Sequence, residues 1–96
     1  MLALRPTCEH CNKPLPPHST EAMICSFECT FCSYCASHLL HNVCPNCGGG
    51  FEKRPVRPRQ KLPEYPAQTK VVFKPVDMEV FQEKLKAYKH ITPENR

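Results

Sequence analysis

The sequence predicts a small α+β module stapled by metal, and three observations carry that prediction. All eight cysteines fall between Cys8 and Cys47, in the order CxxC, thirteen residues, CxxxCxxCxxC, eight residues, CPNC. The chain has 96 residues and no tryptophan, and a head of about 50 residues has too little apolar surface to fold by burial alone. Short apolar runs of strand length sit beside two stretches with helical spacing. Residues 1–50 are read as a two-zinc cysteine-rich domain, 51–70 as a basic Pro-rich linker, and 71–96 as a C-terminal strand and helix segment.

Taken in order, Leu2 and Leu4 alternate with Ala3 and Arg5, which suits a short extended strand before Pro6. Cys8-Glu9-His10-Cys11 is a tight turn that aims two sulfurs at one ion, and Asn12 behind it tolerates the left-handed backbone such turns need. Residues 13–20 form a loop stiffened by three prolines. Ala22-Met23-Ile24, leading into Cys25, reads as a strand. Ser33 to His41 reads as a short helix capped by Ser33, with Ala36, Leu39 and Leu40 on its apolar side. Cys32 and Cys35 then lie at its entry, where backbone N–H groups stabilise thiolate charge. Cys44-Pro45-Asn46-Cys47 is a second tight turn, followed by Gly48, Gly49 and Gly50.

Composition shifts at Phe51. Residues 52–66 hold four prolines, and five basic side chains fall between Lys53 and Lys61, the pattern of an exposed, semi-extended linker. Val71-Val72-Phe73 reads as a strand or a docking hook. Asp77 then caps a helix whose Met78, Phe81, Leu85 and Tyr88 fall on one stripe, ending near His90 and before Pro93.

Eight cysteines in so short a chain fit either four disulfides or metal. The opening MLALRPTCEHC lacks the charged stretch and apolar run of a signal peptide, and no segment reaches the roughly 18 apolar residues of a membrane span. A cytoplasmic location with reduced thiols is therefore expected, and no membrane partner. Zinc takes four thiolates in a closed tetrahedron when its role is structural. Two zinc ions then use Cys8, Cys11, Cys25, Cys29, Cys32, Cys35, Cys44 and Cys47, leaving His10, His38 and His41 surplus. Two pairings are open. The interleaved one sets Cys8, Cys11, Cys32 and Cys35 against Cys25, Cys29, Cys44 and Cys47, while the sequential one takes the first four and the last four. The interleaved pairing is preferred because it joins a tight turn to a helix start and ties the head into one unit.

Other chemistries fit less well. Cys25-xxx-Cys29-xx-Cys32 matches an iron–sulfur signature of radical enzymes, but 96 residues cannot build the barrel those enzymes need. A ferredoxin-type cluster run has a gap of three before its last cysteine, against eight here. No protected nucleophile, base or carboxylate pair appears, so no enzyme is expected.

Charge is unevenly placed. The net +4 divides into −1 over residues 1–50 and +5 over residues 51–96. Eight thiolates and two divalent ions bring the loaded head to about −5, a poor binder of phosphate backbones. The expected role is a zinc-stapled module binding another protein. The alternative is nucleic-acid binding through Lys53, Arg54, Arg57, Arg59 and Lys61, which lack the interleaved aromatics of a stacking platform. A redox or metal sensor is a third reading, since zinc thiolates can be oxidised.

Two resemblances follow from these residues. The order of eight ligands ending in Cys44-Pro45-Asn46-Cys47 resembles a RING-like, treble-clef cross-brace with cysteine at every position. Ubiquitin-ligase RINGs usually carry an apolar residue after the first ligand and often a basic one after the last. Glu9 and Gly48 stand there, so the resemblance implies the fold and not the transfer activity. Over residues 1–62, LRPTCEHCNKPLPP, ICSFECTFCSYC and VCPNCGG resemble a family of short bacterial cysteine-rich proteins of unknown function. That resemblance implies a bacterial protein, brings no activity with it, and leaves residues 63–96 as a stretch particular to this chain.

Overall fold

The computed structural model describes residues 1–96. A three-stranded antiparallel sheet forms the centre of the head. Strand β1 (Ala22–Ile24) pairs with β2 (Thr30–Cys32) in the register Ala22↔Cys32, Met23↔Phe31 and Ile24↔Thr30. Strand β3 (Glu52–Lys53) closes on the other edge of β1, with Met23 opposite Lys53 and Ile24 opposite Glu52. The turn from β1 to β2 holds Cys25 and Cys29, and it is closed by Cys25 N–H donating to the Cys29 carbonyl at 3.1 Å. Glu28 supports this turn with a left-handed φ of 67°. A hairpin thus places one pair of thiols at its tip, while Cys32 leaves from its far end.

The expected helix over Ser33–His41 is shorter and looser. Its body, Cys35–Leu39, is wound in wide turns, with Leu40 N–H donating to the Cys35 carbonyl five residues back at 2.9 Å. Ser33 gives no cap, since it already lies within the helical run and no side chain caps the wide turns that follow. His41 and Asn42 both turn left-handed and end it. Wide turns of this kind are frequent at functional sites, and here Cys35 starts one.

The C-terminal helix α1 (Met78–Tyr88) matches its expected stripe. Asp77 caps it, with Oδ1 accepting from Glu79 N–H at 3.1 Å and Val80 N–H at 3.3 Å. Phe81 and Leu85 are buried in the same core as Phe31, Val43 and Phe51, and Met78 and Tyr88 pack at its rim. Burying those two side chains contributes about 1.5–3 kcal/mol each. The helix therefore docks on its own head. It ends at Tyr88 rather than His90.

Three local expectations differ from the structure. Residues 1–5 form no strand; Leu4 is buried instead, and its carbonyl accepts from Gln68 N–H at 2.9 Å. Val71–Phe73 form no strand either, and Val71 and Phe73 are exposed. The basic stretch is not all solvated, because Phe51 and Arg54 are buried and Glu52–Lys53 pair with β1. Pairing to an open sheet edge outweighs the local Pro-rich composition there. No helix is long and apolar enough to cross a membrane.

Candidate metal centre

Two segments build the first centre. The turn Cys8–Cys11 is closed by Asn12 N–H donating to the Cys8 carbonyl and by Cys8 N–H donating to the Lys13 carbonyl, both at 2.9 Å. Asn12 adopts φ 64°, the left-handed turn its identity suggested. Opposite stand Cys32, at the end of β2, and Cys35, in the first wide turn. The sulfurs of Cys8, Cys11, Cys32 and Cys35 all lie within 4.8 Å of one another. Cys11 and Cys32 Sγ are 3.8 Å apart, which is the edge of a tetrahedron whose metal–sulfur distance is about 2.3 Å. The donor set and its spacing thus fit a four-thiolate ion, in the interleaved pairing.

Glu9 locks this turn to the sheet. Its N–H donates to the Thr30 carbonyl at 3.0 Å, and its buried carboxylate accepts from Thr30 N–H at 2.5 Å and from Arg5 Nη1 at 2.7 Å. His10 is engaged elsewhere, its Nδ1 accepting from Val76 N–H at 2.9 Å. His38 stacks on Tyr34 with centroids 4.7 Å apart. Neither group of candidate ligands includes a histidine.

The second centre gathers Cys25, from the hairpin tip, with Cys44 and Cys47, again within 4.8 Å of one another. Gly48 N–H donates to the Cys44 carbonyl at 2.8 Å, and Gly48 takes φ 79°, where a side chain is strained. Phe27 N–H donates to Cys25 Sγ at 3.3 Å and Gly49 N–H to Cys47 Sγ at 3.4 Å. Cys29 stands at the margin of this trio, accepting from Asn46 Nδ2 at 3.3 Å. Seven of the expected ligands are thus drawn into two groups, and the eighth lies beside the second.

The thiols repel ionisation when no cation is near. Burial pushes Cys25 up to about 11, with the neighbouring Cys29 thiol adding to it. Burial also raises Cys11, Cys35 and Cys44. Cys8 alone is lowered: burial opposes this, but N–H groups of Cys11, Cys32 and His10 prevail. A divalent cation bound among these thiols must displace their protons.

Of the five basic residues considered for phosphate contact, Arg54 is withdrawn. It is fully buried and donates to the carbonyls of Arg5 (2.9 Å), Leu15 (3.1 Å) and Pro16 (2.9 Å). Arg57 donates to the carbonyls of Leu2 at 2.6 Å and Tyr65 at 2.8 Å. Lys53, Arg59 and Lys61 are exposed. Nothing local in the sequence marks Arg54 as interior. Glu9 is different: an acidic residue between two thiolate ligands signals a charge committed to a partner.

A family model described as a protein of unknown function (DUF1272) matches residues 1–57. The chain belongs to that family. An uncharacterized protein of Rhizobium meliloti (strain 1021) is 59% identical over 75 residues, covering 78% of this chain and 89% of the relative. Residues 1–62 can supply at most 62 of those 75, so at least 13 matched residues lie beyond position 62. Part of the stretch 63–96 is therefore not particular to this chain. No solved structure matches it. The DUF1272 model spans all eight cysteines and Arg54, but it stops before α1.

Proposed function

We propose that the head is a structural two-zinc module with a RING-like cross-brace, and that it binds another protein without catalysing a reaction. The observation that carries this reading is the first centre: four thiols from two interleaved segments within 4.8 Å of one another. Zinc bound there supplies a closed thiolate cross-link and no open position for substrate. The interleaving supports a cross-brace, because Cys25, at the tip of the β1–β2 hairpin, and Cys32, at its far end, fall in opposite groups.

A surface for a partner is supported by two aromatic side chains. Phe27 lies between Cys25 and Cys29 and Tyr34 between Cys32 and Cys35, and they are 71% and 61% exposed. Metal turns hold such side chains at low entropic cost, and aromatic anchors carry much of the energy of protein interfaces. Burial of Arg54 and the internal bonds of Arg57 leave three of the five basic groups for nucleic acid, which favours the protein reading.

Elemental analysis of protein purified without added metal tests the chemistry. Two zincs per chain and no visible absorption are expected, whereas iron with acid-labile sulfide overturns the reading. Phe27→Ser and Tyr34→Ser should each abolish cross-linking to the partner while keeping both ions.

A further inference from the structure

Residues 74–96 lie across both cysteine turns. At the first, Lys74 N–H donates to the Glu9 carbonyl at 2.8 Å, and Val76 N–H reaches His10. The hold on the second is wider. Lys84 Nζ donates to the carbonyls of Pro45 (2.9 Å) and Asn46 (3.3 Å), the two residues between Cys44 and Cys47. Arg96 Nη1 donates to the carbonyls of Asn42 at 2.7 Å and Gly48 at 3.1 Å. A Cβ on Gly48 would meet the Tyr88 ring at 3.0 Å, and one on Gly50 would come within 2.6 Å of Pro93. The glycines after Cys47 are the seat on which the arm rests.

Charge favours this arrangement. Four thiolates around a divalent ion carry a net charge of about −2, and Lys84 and Arg96 bring two cations to one turn. The contacts are also contiguous, since Lys84 holds the Asn46 carbonyl and the Asn46 amide donates to Cys29 Sγ. The second turn has no counterpart of the Glu9 lock.

We propose that residues 74–96 are a clasp for the second centre, in which Lys84 and Arg96 act as positioning residues, so that arm docking and ion retention there are coupled. The coupling is reciprocal: an ion in the second centre tightens the arm by the same factor as the arm tightens the ion. The proposal rests on the metal-bound reading above and adds that the charged side chains of the arm bear on the second centre.

The test loads the full chain with cadmium-113 and assigns each signal through couplings to cysteine protons. In K84A/R96A, EDTA should remove the ion held by Cys44 and Cys47 about ten to a hundredfold faster, the scale seen when partners outside the ligand shell are lost. The ion held by Cys8 and Cys11 should leave at the rate of the unmodified chain. Leu85→Ala, which loosens the arm by another route, should accelerate the same signal, and Lys84→Arg with Arg96 kept should restore retention. Unchanged rates in both K84A/R96A and L85A, or equal acceleration of both signals, overturn the clasp alone. A chain that takes up no cadmium overturns the metal reading and the clasp with it.

Discussion

The two cysteine centres use the same side chains but draw support from different places. The first is braced from within the head: Glu9 bonds both main-chain atoms of Thr30, and all four sulfurs meet within 4.8 Å. The second brings three sulfurs together, keeps Cys29 at the margin, and leans on Lys84 and Arg96 from outside the DUF1272 match. Equal ligand chemistry therefore does not imply equal firmness. What surrounds the sulfurs sets how well each turn is held.

Loss of a first-centre ligand should be the largest effect. Structural zinc sites in small domains carry apparent free energies of about 10 kcal/mol or more. Cys8→Ser is expected to lose cooperative melting altogether, whereas Cys29→Ser should keep a measurable transition. Identical unfolding of the two variants, by calorimetry and metal content, would erase the contrast between the centres.

Acid should separate the centres as well. Without an ion, Cys25 keeps its proton up to about pH 11, against an ordinary 9.0, so ion uptake at neutral pH releases protons and retention falls as pH falls. The second centre should empty at the higher pH, because it brings only three sulfurs together where the first brings four. Coincident midpoints in an acid titration of the cadmium signals would contradict this. For the metal-free fold the sign reverses: a raised folded pKa contributes stability below pH 9.0 that is lost as pH climbs towards about 11.

Arg54→Ala strips three interior carbonyls of a charged donor and should cost about 3 kcal/mol, lowering the denaturant midpoint. Gly48→Ala combines a left-handed φ of 79° with the approach of Tyr88. It should cost about 2 kcal/mol and speed ion loss from the second centre only. Glu9→Gln keeps an acceptor for Thr30 but loses the Arg5 pair. It should cost about 1 kcal/mol, the smallest shift in midpoint.

How much of this was legible in the sequence follows from how local each signal is. The cysteine turns and Asn12 were legible because a CxxC fixes its own geometry over four residues. The stripe Met78, Phe81, Leu85 and Tyr88 was legible because helical periodicity is local, and Asp77 marked its start. Arg54 was not, since its three acceptors come from residues 38 to 49 positions away. β3 was missed for the same reason: Glu52–Lys53 have no strand pattern of their own and depend on the open edge of β1. Lys84 and Arg96 carry no local mark of their contacts, because neither a helix stripe nor the tail beyond it reveals which loop lies opposite.

Cys11 is the one exposed cysteine among the eight. A soft electrophile or a mercuric ion arriving from solvent would find its foothold there, in the better-braced turn. Thermodynamic firmness and chemical vulnerability thus reside in the same place, and the sturdier anchor is also the door.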